Sequence, residues 1–93
     1  MNLLETTIRD KEELYTLAVK YFKNINPEEY ENVKFDTIIP KSISVLTDHD
    51  FIPTPCIGIK LELHRHDKLY NRCNYFLYVD ENIEFVDEFL IFE

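Results

Sequence analysis

A single glycine, two cysteines and no tryptophan occur in these 93 residues, and neither lysine nor arginine follows Arg72. One glycine excludes the glycine-rich loops that wrap phosphates in P-loop and dinucleotide-binding proteins. Two cysteines are too few for a disulfide framework, so a cytoplasmic protein with free thiols is expected. Cys56 and Cys73 fall at far ends of neighbouring strands in the pairing derived below, about 25 Å apart and beyond disulfide reach. No apolar run approaches the roughly 18–20 residues needed to span a bilayer, and the first residues lack the pattern of a secretory signal. Also missing are a basic stripe for nucleic acid and a Gly-x-Ser-x-Gly elbow for a serine nucleophile. With no catalytic signature in the chain, a protein without enzymatic activity or cofactor is expected.

What is present is charge of one sign, and it is unevenly placed. Eighteen acids against ten bases give a net charge of −8 and a pI near 4.8. Residues 1–72 hold all ten bases and twelve of the acids. The remainder holds Asp80, Glu81, Glu84, Asp87, Glu88 and Glu93 with no base among them. The last quarter is therefore an electrostatic pole that repels nucleic acid and anionic membranes and attracts basic partners. Hydrophobic residues at 45% and aromatics at 14% supply a core for one domain spanning 1–93.

The clearest local pattern is Cys56–His64. Ile57, Ile59, Leu61 and Leu63 point one way, and Cys56, Gly58, Lys60 and Glu62 the other, as on a β-strand with one apolar face. Residues 74–79 form a second strand, with a polar turn at Asp80-Glu81-Asn82. Residues 83–92 read as a last strand, since aromatic and β-branched residues dominate there, although Ile83, Val86, Phe89 and Leu90 also fit a helical stripe. Between residues 34 and 47 the alternation fits two short strands or one edge strand broken by Pro40. Residues 48–55 read as a loop.

The lid for the apolar face lies upstream. Leu14, Leu17, Ala18, Tyr21, Phe22 and Ile25 recur at three- and four-residue steps, which predicts an amphipathic helix over 12–25. Thr7 with Asp10, or Asp10 with Glu13, supplies a cap. Asn26-Pro27-Glu28-Glu29 restarts a short second helix to about residue 33. The expected fold is α+β: helices within about 8–33 packed on one face of a curved antiparallel sheet of four to five strands within about 34–93.

Antiparallel pairing places odd with odd. Ile59, Leu61 and Leu63 then share the helix-side face with Tyr75, Leu77 and Val79, continued by Ile83 and Phe85. The other face carries Lys60, Glu62 and His64 beside Phe76 and Tyr78, then Glu84 and Val86. A bulge at Asp87 lets either Leu90 and Phe92 or Phe89 and Ile91 turn back to the core. Aromatics beside acids on an outward face fit a protein interface. Cover by the second helix, the 48–55 loop or a symmetric dimer explains Phe76 and Tyr78 equally well.

Two other chemistries merit weighing. His64 and His66, with His49 or Asp48, offer ligands for a metal-dependent hydrolase, but the spacing matches no hydrolase motif and polar residues at a strand end explain it. A helix on a curved sheet also fits a cystatin-like or NTF2-like homodimer with a ligand cup.

A small, acidic, glycine-poor α+β chain without catalytic motifs resembles the inhibitors of bacterial and phage conflict, namely toxin immunity proteins and anti-CRISPR-type proteins. The resemblance covers the whole chain in style and rests on no motif, so no residue role is carried over from it. It implies a binding module for a basic nuclease or nucleic-acid-binding effector, in which Asp80, Glu81, Glu84, Asp87 and Glu88 stand in for phosphates. Glu62, Phe76 and Tyr78 complete the expected partner-binding set.

Overall fold

The computed structural model describes residues 3–26, 35, 37–64 and 72–92. Two helices, α1 (Leu3–Arg9) and α2 (Lys11–Lys23), precede four strands, β1 (Thr37–Leu46), β2 (Cys56–His64), β3 (Arg72–Val79) and β4 (Phe85–Phe92). The strands form one open antiparallel sheet in the order β1-β2-β3-β4. This is the α+β architecture expected, with four strands and both helices on one face.

The odd-to-odd register holds. Ile57 pairs with Val79, Ile59 with Leu77, Leu61 with Tyr75 and Leu63 with Cys73. All eight of these side chains are buried. Against them α2 lays Leu14, Ala18 and Phe22, with Leu17, Tyr21 and Ile25 at the margin. Burying each large aliphatic contributes roughly 1.5–3 kcal/mol, so this interface is the main support of the fold. Phe22 meets Tyr75 and Phe35 with ring centroids 5.5 and 5.9 Å apart, and Phe35 in turn stacks on Phe92 at 6.4 Å.

The structure corrects the sequence expectation at several points. A helix forms from Leu3, well before the expected start, and lies against β1. Asp10 stands at the N-cap of α2 as expected, but neither expected side-chain capping bond forms. The Thr7 hydroxyl donates to the Leu3 carbonyl inside α1, and Asp10 makes no side-chain bond to the α2 backbone. Its carboxylate accepts instead from Arg9 at 2.9 and 3.0 Å, which holds the Asp10 carboxyl below its usual pKa. The helix expected over 27–33 lies outside the described residues.

The 37–46 segment is one strand, with Lys41 unpaired between Pro40 and Ser42. Pro40 has no N–H to give a ladder, so its place on an edge strand beside a bulge is physically consistent. In β4 the extra residue is Val86, one position before Asp87: Val79 faces Phe85, and Tyr78 faces Asp87. Beyond it Leu90 and Phe92 lie on the helix side, with Leu90 against the core, while Phe89 and Ile91 face outward. Ile83 belongs to the turn, not the strand, and takes a positive φ of 63°.

Candidate functional site

The outer face owes its shape to where the two connections fall. Leu46 pairs with Cys56, Ile57 with Val79 and Val79 with Phe85, so the 47–55 loop and the 80–84 turn share one end of the sheet. The loop curls over that end. His49 Nδ1 accepts the backbone N–H groups of Phe51 and Ile52 at 3.0 and 3.1 Å, and Ile52 is buried. Cys56 points to the outer face yet is fully buried there, and burial pushes its thiol pKa up. Cys73 is buried on the opposite face, and neither thiol is in a disulfide.

From the loop, an aromatic row crosses the sheet. Phe51 meets His49 at 6.3 Å, His49 meets Tyr78 at 6.4 Å, and Tyr78 meets Phe89 edge-on at 5.9 Å. Phe51 is 90% exposed, Phe89 43% and Ile91 51%, a concentration of apolar surface on one side. Gly58 makes the row possible. A Cβ there would stand 3.0 Å from Tyr78 Cε1, so the bare backbone lets the tyrosine ring lie flat across β2. Burial, and then the nearness of Cys56 and Asp87, raise the Tyr78 pKa, and the phenol stays neutral. Beside the row, Lys60 sits over the Phe76 ring at 5.7 Å. Ser42, Ser44, Lys60, Phe76 and Tyr78 border a small groove of about 100 Å³.

The expected partner residues divide in this geometry. Phe76 and Tyr78 are half-buried on the outer face, Asp87 is exposed on the same face, and Glu81 and Glu84 are exposed in and beside the turn. Asp80 serves the turn itself: its Oδ1 accepts the N–H groups of Asn82 and Glu84 at 2.8 and 2.9 Å. Glu62 is committed within the sheet, 2.6 Å from His64 Nε2 and 3.7 Å from Lys41 Nζ. Glu88 lies on the opposite, helix-side face, where it accepts the Tyr75 hydroxyl at 2.7 Å. The bulge at Val86 is the reason, since it reverses the side on which each later residue emerges.

The histidines do not converge. His49 lies beside Tyr78, the partner of Gly58, and His64 ends β2, a separation of about 20 Å along the strand. His66 lies outside the described residues. Among the described residues no group of three His, Cys, Asp or Glu side chains is placed to hold a metal ion. No described helix is long and apolar enough to cross a membrane.

Residues not anticipated as part of the site are Phe51, His49 as a ring partner, Phe89 and Ile91. A large aromatic inside the polar, proline-containing loop was the available signal for Phe51. Asp48 and Asp50 lie in the loop at this end, so six acids (Asp48, Asp50, Asp80, Glu81, Glu84 and Asp87) share it with the aromatic row. Residues 47–55 and 80–92 contain no lysine or arginine. A separate concavity of about 450 Å³ lies between α1 and β1, bordered by Leu4, Ile8, Tyr15, Ile43 and Val45. No protein family, curated protein or solved structure matches the chain.

Proposed function

We propose that this chain is a non-catalytic protein-binding module, of the inhibitor or immunity type, that docks a basic protein on the loop-and-turn end of its outer sheet face. The observation that carries the reading is the convergence of an aromatic row with a loop and a turn that hold six carboxylates and no lysine or arginine. Aromatic side chains supply contact area at low entropic cost, and surrounding charge sets orientation and encounter rate. A partner whose own groove binds a polyanion, such as a nuclease or a nucleic-acid-binding effector, has the complementary potential.

Phe51, Tyr78 and Phe89 are the anchors in this reading, and Glu81, Glu84 and Asp87 steer. Asp80 and Glu88 contribute to the fold through the turn and the core. The test is affinity capture from the native host with the wild-type chain and with Phe51→Ser and Phe89→Ser as baits. The expected result is a basic protein retained by wild type and lost from both variants. An identical captured set for all three baits, or an acidic binder, would overturn the reading.

A further inference from the structure

The two edges of the sheet are built differently. β1 carries Pro40, which lacks an N–H, next to the unpaired Lys41, with α1 packed alongside. Proline, lysine and a mid-strand bulge are the devices by which edge strands avoid pairing with other chains. β4 has its irregularity only at Val86, and residues 87–92 run in unbroken register with β3. They contain no proline and no lysine, and Phe89, Ile91 and Phe92 are 43–51% exposed. In an antiparallel pair alternate residues turn both backbone groups toward the neighbour, so the intervening residues of 87–92 turn theirs outward. Among the described residues no strand receives them.

We propose that the outward edge of β4, which no described strand pairs with, takes an extended, basic segment of the partner as a fifth strand. This rests on the docking reading above and names its main-chain component. Charge decides the occupant. A second copy paired through β4 would set Asp87 and Glu88 of both molecules on one short ladder, joining two chains of net charge −8. Asp87, Phe89 and Ile91 share the outer face, so a segment with a basic residue at one outer-face position and apolar residues at the next two sets a cation opposite Asp87 and apolar side chains opposite Phe89 and Ile91. Strand addition of this kind draws affinity from main-chain hydrogen bonds and specificity from alternate side chains. The added strand also widens the outer face beside Phe89, continuous with the aromatic row.

The test is a titration of the ¹⁵N-labelled chain with a synthetic extended peptide that carries lysine, valine and valine at successive positions of one face, with a peptide bearing glutamate in place of the lysine as control. The expected result is slowed hydrogen exchange at alternate amides of residues 87–92 with the lysine peptide alone. Asp87→Asn keeps the oxygen that accepts the Glu88 N–H at 2.8 Å but removes the charge. It should weaken binding by about threefold, and Asp87→Lys by about tenfold, as expected for losing and then reversing a cross-strand charge pair. Shifts at Phe51 and Tyr78 with no slowing at 87–92 would overturn the strand proposal and leave the docking face intact. Equal response to both peptides, or none from either, would overturn strand addition by a basic segment. Concentration-dependent protection of 87–92 without peptide would make a second copy the occupant and overturn the proposal too.

Discussion

Tyr75 is the residue where the apolar core meets a charge. Its ring is fully buried against Phe22, and its hydroxyl donates to the Glu88 carboxylate at 2.7 Å. Burial first, and then the Glu88 carboxylate, hold its pKa far above the ordinary tyrosine value. The folded chain therefore keeps a proton that the unfolded chain releases above pH ~10, and stability falls as pH rises beyond that point. Alkaline denaturation should show wild type losing about 1.4 kcal/mol per pH unit more steeply than Tyr75→Phe. At pH 7 Tyr75→Phe should be less stable by about 1.5–3 kcal/mol, the usual worth of a hydrogen bond to a charged group. Urea melts at pH 7 and at alkaline pH check both. Cys56 and Cys73 are enclosed on opposite faces, so native protein should resist alkylation that modifies both thiols in denaturant.

Among the elements, the β3–β4 hairpin sets which acids are free to meet a partner. The turn is closed by Asp80, which accepts two backbone N–H groups through Oδ1 while its own N–H donates to the Glu84 carbonyl at 2.9 Å. Asp80→Ala should cost about 1–2 kcal/mol, while Glu81→Ala on the exposed turn should stay within about 0.5 kcal/mol of wild type. Thermal melts of the pair distinguish a turn carboxylate from a solvated one. The central strands were legible in the sequence because Ile57, Ile59, Leu61 and Leu63 alternate without a break and need a single buried face. The face of Glu88 was not legible. Period-two reasoning fails across a bulge: one extra residue between Phe85 and Glu88 sets Glu88 opposite Leu77, on the helix side. The α1 helix escaped because seven residues with only Thr7 buried leave almost no periodic signal. The aromatic row escaped for a different reason: it joins residues 49, 51, 78 and 89, and no local pattern encodes that meeting.

At the scale of the whole molecule, placement of charge matters more than its total. β2 is nine residues long, so its ends lie about 30 Å apart, several times the ~8 Å screening length at physiological ionic strength. Lys41 and Lys60 stand five and four residues from the loop-and-turn end, about 13–16 Å and more than one screening length away, so they offset its carboxylates only in part. A basic protein approaching the sheet meets the six-acid end as a local field, and the aromatic row supplies the contact area once it arrives. Glu81 and Glu84 are the acids to alter, because neither is needed for the turn through its side chain and neither faces the helices. The most direct measurement is the association rate constant of the captured basic partner across a range of ionic strength, for wild type and for the double variant Glu81→Lys, Glu84→Lys. The account predicts a wild-type rate that falls steeply with salt, and a variant that is slower by about tenfold at low salt with a nearly flat dependence. Equal rates and equal salt slopes for the two proteins would contradict it.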